Sequence, residues 1–351
     1  MSVSLAVKYR PTDLSDVVGQ EETRTILTNQ LQKHDLRNAY LFCGPAGCGK
    51  TTTARIFANM INQNTGGILE LDAASNNSVE DVRSISQQAG TQSLTSEYNI
   101  FLLDEVQAFS SSAWGAMLKT LEEPPAKAIF IMCTTNPEKI PKTIKSRVQR
   151  FDFQRISQEG IVARLRYILQ QEDNGTETMY PNARATVDQI YLSRALEYIA
   201  KLADGGMRDA ITMLDKCLAY STELTVDTVL KALGIADYDV MFELLSALHT
   251  KNAETVMKII DQIYAQGKDL KLFIKTFMDF ILDMCKYNVT RSSDFVKIPP
   301  SYKLEEYSYD VYAYCTRLLD CLISLIEQLR WETAPKSVIE STLMLQCFRE
   351  D

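Results

Sequence analysis

Short apolar runs alternate with helical patterns over the first 155 residues. The first run, Ala39–Cys43, reads Ala-Tyr-Leu-Phe-Cys and predicts a fully buried strand. A helical pattern, Thr51–Asn62, follows it. Four further runs also predict strands: Ile68–Asp72, Asn99–Leu103, Ala128–Cys133 and Arg150–Phe153. Because continuous apolar strands separated by helices form parallel sheets that are covered on both faces, we predict an α/β domain whose ligand binds at the carboxyl ends of the strands.

The strand signals stop after Phe153. Residues 156–223 predict a small helical domain, in which the polar stretch 172–188 is expected to be an exposed loop. From residue 224 onward only helical patterns occur, including Val311–Leu329 and Ser337–Phe348. Apolar stripes at helical spacing are typical of a helix-bundle core rather than of a cofactor pocket. The predicted domains are therefore 1–155, 156–223 and an all-helical 224–351.

Composition narrows the class of protein. The 351 residues are 46% hydrophobic and 23% charged, with a net charge of -8, which excludes a globally basic nucleic-acid binder but not a local basic face. No apolar run approaches the roughly 20 residues that cross a bilayer, and the N-terminus lacks the apolar segment of a secretory signal. We therefore expect a cytoplasmic protein that does not bind a membrane.

The eight cysteines and two histidines do not have the spacing of a zinc site. Most of the cysteines lie in apolar strings, so we expect buried free thiols and no zinc.

Residues 44–51, Gly-Pro-Ala-Gly-Cys-Gly-Lys-Thr, match the phosphate-loop pattern GxxxxGK[ST] between a predicted strand and a predicted helix. The glycines let the backbone wrap around phosphates, and the helix N-terminus faces the anion. Lys50 is expected to reach the β- and γ-phosphates, and the Thr51 hydroxyl to ligate Mg²⁺. The predicted nucleotide-binding residues here are Gly44, Pro45, Ala46, Gly47, Cys48, Gly49, Lys50, Thr51 and Thr52.

Two acids end the strand that begins at Asn99. A charged pair at this place is costly unless it serves a site, so we predict that Asp104 holds Mg²⁺, directly or through water, and that Glu105 polarises the attacking water. The alternative is a helix N-cap with solvated acids. At the end of the next strand, Thr134–Pro137 offers a hydroxyl or an amide to the γ-phosphate or the water, although this string is also a common turn.

Two arginines are candidates for stabilising phosphoryl charge. Arg147 precedes the last predicted strand, and Arg208 opens a helix in the string Asp204–Asp209. Taken singly, each arginine is better explained as a surface residue, because most arginines are exposed. Only the combination with the other motifs favours a role at the phosphates.

The combination resembles the AAA+ ATPases and, within them, the clamp-loader family. The resemblance is closer to the bacterial DNA polymerase III gamma/tau subunits than to the small subunits of replication factor C, and it is strong over about residues 5–235. The strings that carry it are Tyr9–Pro11, Asp16–Gln20, Asp72–Ser75, Val79–Arg83, Leu118–Pro125 and Gly205–Ala210.

The resemblance implies an AAA+ domain, a helical lid and a collar, with ATP and Mg²⁺ as cofactors. Thr135 falls at the sensor-1 position, and Arg208 falls at sensor 2, reaching ATP from the lid of its own chain. Arg147 matches the arginine of the family's Ser-Arg-Cys motif, which acts on ATP bound by the neighbouring subunit. Four residues would border the adenine: Tyr9, Arg10, Pro11 and Val18.

Two departures from the family pattern stand out. The motif here is Ser146-Arg147-Val148, so its cysteine is absent while its arginine is kept. The family's four-cysteine zinc module is replaced by the short stretch Asn62–Gly67. The chain also stops after the collar, so the resemblance implies a form without the long tau tail. The expected source is a bacterium or a virus of bacteria.

The resemblance also implies partners: other clamp-loader subunits in a pentamer, a sliding clamp and primer-template DNA. A homopentamer, a homotetramer with one different subunit and a mixed pentamer all remain open. Hydroxyl, amide and guanidinium groups suited to the DNA backbone are those of Ser75, Asn76, Asn77 and Arg83. The alternatives are helix capping by the first three residues and a salt bridge from Arg83 to Asp81 or to another neighbouring residue.

The predicted function is that of an ATP-driven motor that opens a sliding clamp and places it on primed DNA. One alternative is a structural clamp-loader subunit that does not hydrolyse ATP, which the intact Lys50, Asp104 and Glu105 disfavour. Another is a different AAA+ machine, such as a helicase loader or a junction-migrating helicase, which the helical C-terminal part disfavours.

Overall fold

The computed structural model describes residues 3–91, 96–174, 180, 188–234, 238–299 and 302–348. The chain divides into two compact units, Met1–Leu224 and Thr225–Asp351. The finer division of the first unit near residue 155 stays a prediction.

The first unit contains a parallel sheet. Its strands are β1 (Ala39–Cys43), β2 (Ile68–Asp72), β3 (Asn99–Asp104), β4 (Ala128–Thr134) and β5 (Gln149–Asp152). Over the described part of the chain they form one sheet in the order β2-β3-β4-β1-β5, and every neighbouring pair is parallel. The predicted strands are confirmed, with ends displaced by one residue at most.

Helices connect and cover the strands. Those of the first unit are α1 (Leu5–Lys8), α2 (Glu21–Lys33), α3 (Lys50–Ile61), α4 (Val79–Ala89), α5 (Ser111–Glu122), α6 (Lys142–Lys145), α7 (Gln158–Asn174), α8 (Gln189–Leu202) and α9 (Met207–Tyr220). The start of α4 shows why helices begin where they do. Its N-cap Ser78 and Asp81 exchange hydrogen bonds in a capping box, which satisfies backbone N–H groups that have no partner within the helix.

Apolar residues on both faces bury the sheet. Tyr40 and Phe42 of β1 pack with Phe57 of α3 on one face. The alternate residue Leu41 packs on the other face, in the same cluster as Met117 of α5. This alternation explains the uninterrupted apolar runs in the sequence and confirms that the parallel sheet is covered on both sides.

The stretch 172–188, predicted to be an exposed loop, begins differently. α7 continues through its first three residues, and the Glu172 side chain is fully buried. The prediction is therefore wrong at this end, because the polar composition hides a buried carboxylate. Residues 175–179 and 181–187 lie outside the described residues.

Helices are the regular elements of the second unit, which has no strand among its described residues. Its α-helices are α10 (Val226–Leu233), α11 (Tyr238–His249), α12 (Ala253–Ala265), α13 (Leu270–Thr290), α14 (Tyr309–Leu329) and α15 (Pro335–Phe348). Phe277, Ile281, Leu322 and Leu343 are fully buried in one apolar cluster. The apolar stripes predicted after residue 224 are thus confirmed as the core of a helix bundle.

Six of the eight cysteines are buried and Cys285 and Cys321 are half-buried, and all are free thiols, as predicted. Within the described ranges, no helix combines the length and the apolar character that crossing a bilayer requires.

Candidate active site

The loop between β1 and α3 lies at the carboxyl edge of the sheet. Gly47 has a φ of +71° and Gly49 a φ of +102°, in the left-handed region where a side chain is strained. A Cβ at Gly44 would overlap the carbonyl oxygen of Phe153. The backbone therefore requires glycine at these three positions. The loop turns around a concave space at the N-terminus of α3.

Lys50 and Thr51 open α3 and point to two different partners. Lys50 is only 5% exposed, and its Nζ donates to Gly44 O at 2.9 Å and to Pro45 O at 2.8 Å. The Thr51 hydroxyl donates to Asp104 Oδ2 at 2.8 Å. A cation, a hydroxyl and a carboxylate thus meet at the loop, which is the donor set that a phosphate with Mg²⁺ needs.

Asp104 ends β3 and Glu105 follows it in an unusual backbone conformation. Burial raises the pKa of the Asp104 carboxyl, while hydrogen bonds from Thr51 and from the Glu105 N–H act in the opposite direction. Glu105 has a φ of +51°, which costs a non-glycine residue about 1–2 kcal/mol. Its side chain makes no capping hydrogen bond to the short 3₁₀ helix that follows. The helix-cap alternative therefore does not account for Glu105.

A polar network holds the Glu105 carboxylate. Thr135 Oγ1 donates to Glu105 Oε2 at 2.9 Å, and Gln107 Nε2 donates to the same oxygen and to Thr135 Oγ1 at 3.0 Å. The buried Thr134 hydroxyl donates to Gln107 Oε1 at 2.6 Å. The sequence predicted Thr135 as a site residue but not Gln107. The one feature of the sequence that could have indicated Gln107 is its position shortly after Asp104.

The phosphate loop, Asp104 and Glu105 face a cavity of about 390 Å³ in the first unit. Most of the predicted nucleotide site lines it: Tyr9, Arg10, Pro11, Val18, Ala46, Gly47, Cys48, Gly49, Lys50, Thr51, Thr52, Asp104, Glu105 and Arg208. Gly44, Pro45 and Thr135 are not among the lining residues; the first two shape the loop, and Thr135 contacts Glu105. Lining residues that sequence reasoning missed are Ala6, Val17, Ile156, Arg164, Met207, Asp209 and Ile211.

The cavity wall combines two chemistries. The phosphate loop contributes backbone N–H groups and Lys50, whereas Tyr9, Pro11, Val17 and Ile156 contribute apolar surface. A ligand with a polyanionic part and a flat apolar part matches such a wall. The residues present therefore fit a nucleoside triphosphate with Mg²⁺.

Arg208 reaches this cavity because α9 begins beside the phosphate loop. The Met207 N–H donates to Gly47 O at 3.0 Å. A Cβ at Gly47 would lie only 3.0 Å from the Cα of Gly206, so the two glycines allow a close backbone approach. Arg208, in the first turn of α9, is exposed and lines the cavity.

Arg147 lies elsewhere. Its Nη2 contacts Glu122 Oε1 at 2.8 Å, and its Nη1 donates to Thr143 O at 2.8 Å. It is not among the residues that line the cavity. The structure thus brings Arg208, but not Arg147, to the site of its own chain.

The predicted DNA-contacting residues lie just after β2. α4 begins at Val79 with Ser78 as its cap, so Ser75, Asn76 and Asn77 precede the helix rather than begin it. Asn76 Nδ2 donates to Asp72 O at 2.9 Å and Asn77 Nδ2 to Ala74 O at 3.4 Å.

Arg83 is exposed on α4. Asp81, the acidic partner that the sequence allowed for it, instead accepts hydrogen bonds from Ser78.

Comparison with known proteins finds two matching family models and several similar proteins. The family model of the DNA polymerase III delta subunit matches residues 68–157, and that of domain III of the DNA polymerase III gamma and tau subunits matches residues 224–304. The chain is 34% identical to DNA polymerase III subunit tau of Bacillus subtilis over 97% of its own length. The chain is a relative of the DNA polymerase III gamma and tau subunits.

The likeness to gamma and tau covers only part of those proteins. The chain spans 62% of the Bacillus subtilis tau subunit. It is also 34% identical to the tau subunit of Escherichia coli, over 75% of this chain and 42% of that protein.

Among solved structures, the RuvB Holliday junction branch migration motor of Thermotoga maritima matches with a TM-score of 0.50 and 18% identity. The match covers 68% of this chain and 78% of RuvB. Likeness at this level of identity concerns the fold, and it confirms the predicted AAA+ architecture of the gamma/tau relative.

Proposed function

We propose that this gamma/tau relative is an ATP-driven clamp-loader subunit. Within an assembly it opens a sliding clamp and places it on primer-template DNA during replication, with ATP hydrolysis at subunit interfaces. The observation that carries the proposal is the single cavity in which the phosphate loop, Thr51, Asp104 and Glu105 meet.

The chain's own residues divide the work of binding and hydrolysis. Lys50 and the loop N–H groups bind the β- and γ-phosphates, and Thr51 and Asp104 would hold Mg²⁺. The ion supplies charge neutralisation on the phosphate oxygens. Glu105 orients the attacking water and accepts its proton, while Gln107 and Thr135 keep that carboxylate in place.

Two arginines complete the site from different chains. Arg208 stabilises the phosphates from the lid of its own chain, since it lines the same cavity. Arg147 serves the ATP of a neighbouring subunit, because it contacts Glu122 rather than its own cavity. Hydrolysis therefore depends on assembly, for which we propose a pentamer of clamp-loader subunits.

DNA contact would come from Ser75, Asn76, Asn77 and Arg83, which follow the carboxyl end of β2. Hydroxyl, amide and guanidinium groups bind phosphates rather than base edges. Binding is then specific for DNA structure rather than sequence and weakens strongly with salt.

The place of action is the cytoplasm of a bacterium, whether the chain is encoded by the bacterium or by its virus.

The test is steady-state ATPase activity of the purified chain alone, with primer-template DNA, and with DNA plus the clamp from the same source. We expect stimulation by DNA and clamp. Arg147→Ala should abolish the stimulation while ATP still binds, as measured separately by calorimetry. Arg150→Ala is the matched control, since Arg150 pairs with Asp152 on the surface.

Two outcomes would argue against the proposal. If the chain with its co-encoded partner subunits shows no turnover under any condition, it is a structural subunit rather than a motor. If ATPase activity is stimulated by DNA but not by any clamp, the chain belongs to a different class of DNA-remodelling ATPase.

A further inference from the structure

Glu172 is fully buried near the end of α7, which is unusual for a glutamate. Its Oε1 accepts hydrogen bonds from Lys8 Nζ at 2.7 Å and from the Tyr9 hydroxyl at 2.6 Å. Its Oε2 accepts from the Tyr180 N–H at 3.1 Å. A buried carboxylate is tolerated only with such partners, so Glu172 binds α1 and Tyr180 together.

Asp215 on α9 holds the same two segments at a second point. Its Oδ2 accepts from the Leu5 N–H at 3.1 Å, and its Oδ1 accepts from the Tyr180 hydroxyl at 2.7 Å. Tyr180 therefore contacts both carboxylates, with its backbone on one side and its hydroxyl on the other.

The segment that these carboxylates hold forms part of the cavity wall. Ala6 and Tyr9 line the cavity. The Tyr9 carbonyl also accepts from Arg164 Nη2 at 2.8 Å. Contacts at Leu5, Lys8 and Tyr9 thus fix the segment along its whole length.

α1 cannot hold this position without such contacts. It has four residues, far below the roughly 12–15 that an isolated helix needs for marginal stability. The place of the wall is therefore set by its tertiary hydrogen bonds rather than by its own helical propensity.

We propose that Glu172 and Tyr180 are positioning residues for the base of the bound nucleotide. They hold residues 5–9 so that Ala6 and Tyr9 present a preformed apolar wall to a purine ring. This inference rests on the proposed function, because it takes the cavity to bind a nucleoside triphosphate. The phosphates are bound by the loop at 44–51 and do not depend on this wall.

The test measures ATP and inorganic tripolyphosphate binding by calorimetry, with the full chain and the variants Tyr180→Phe and Glu172→Gln. The first variant removes one hydroxyl, and the second leaves a buried donor without its carboxylate. We expect the Kd for ATP to rise about threefold in Tyr180→Phe and about tenfold in Glu172→Gln, because each loses hydrogen bonds that hold the wall. The Kd for tripolyphosphate, which has no base, should stay within about twofold.

Two exposed residues of the same unit give matched controls, Tyr220→Phe and Glu159→Gln. A double-mutant cycle adds a readout that a general loss of stability would not give. Tyr9→Phe removes the hydrogen bond between Tyr9 and Glu172 and Glu172→Gln weakens it, so their effects on ATP binding should be less than additive in the double variant.

Three results would overturn the proposal: an unchanged Kd for ATP in both variants, an equal loss of tripolyphosphate binding, or loss of the native circular dichroism spectrum in Tyr180→Phe. Failure of the unaltered chain to bind ATP at all is a different result, which contradicts the proposed function instead. Should Glu172→Gln fail to fold, Tyr180→Phe alone decides.

Discussion

Arg147 and Glu122 form an ion pair at the surface of the first unit, with 2.8 Å between Nη2 and Oε1. The two side chains are 36% and 43% exposed. Exposed pairs of this kind contribute about 0–1 kcal/mol. The ion pair with Glu122 is therefore weak. A hydrogen bond from Arg147 to a phosphate on a neighbouring subunit, as proposed, would be strong enough to replace it.

Complementation between chains tests whether Arg147 serves a neighbouring site. Arg147→Ala should lower ATPase activity by about a thousandfold or more, the effect of a missing arginine finger. Lys50→Ala should also lower it strongly, because the phosphates lose their cation. Assemblies mixed from both variants should regain activity, because roughly a quarter of the interfaces in a cyclic oligomer then combine an intact Lys50 with an intact Arg147. Mixed assemblies that native mass spectrometry verifies but that remain inactive would place Arg147 in its own chain's chemistry.

Glu105→Gln should slow hydrolysis by about 10²–10⁴-fold, because the amide cannot accept a proton from the attacking water. ATP affinity should be unchanged, since Glu105 does not bind the phosphates in the proposed arrangement. Single-turnover hydrolysis together with calorimetry separates the two effects. The exposed Glu123→Gln is the control, and an equal loss of ATP binding in Glu105→Gln would refute the assignment.

Thr134→Val should destabilise the first unit by about 1–3 kcal/mol, because the Thr134 hydroxyl is fully buried and both Gln107 Oε1 and the Asn136 N–H lose their partner. Urea unfolding followed by fluorescence of the buried Trp114 measures this.

The exposed Trp331 is replaced by Phe in the Thr134→Val experiment so that the signal reports the first unit. Thr143→Val, at an exposed position of α6, should have little effect. A Thr134→Val variant as stable as its parent would show that this hydroxyl is dispensable.

Arg83→Ala should weaken binding to primer-template DNA to a similar extent for all sequences. The slope of log Kd against log salt concentration should fall by about one unit, since one phosphate contact is lost. Fluorescence anisotropy over a salt series checks this. Arg37→Ala is the control, because Arg37 is an exposed arginine paired with Asp35. Equal slopes for the two variants would remove Arg83 from the interface.

Local patterns in the sequence were enough to predict the sheet and most of the residues that line the cavity. The apolar runs mark the strands because both faces of the sheet are buried, and the phosphate loop is a contiguous motif that dictates its own backbone path. The finer division into domains and the roles of the site residues stay predictions.

Contacts between distant segments could not be predicted in this way. Gln107 belongs to the site because the tight turn after Asp104 brings its side chain to Glu105. The hydrophobic periodicity of the sequence does not indicate this contact. Glu172 was misread because its neighbours are polar, while the groups that bury it, Lys8 and Tyr9, lie more than 160 positions away.

The strand order has a consequence for the chain during its synthesis. β1, which carries the phosphate loop, lies between β4 and β5, with Ala39 opposite Phe130 and Tyr40 opposite Gln149. A growing chain that has not yet emerged past Asp152 therefore leaves β1 without at least one of its two neighbours. Such long-range parallel pairing also forms slowly. The phosphate loop, which is complete once Thr51 has been made, is therefore held between its neighbouring strands only after the chain has been extended through Asp152.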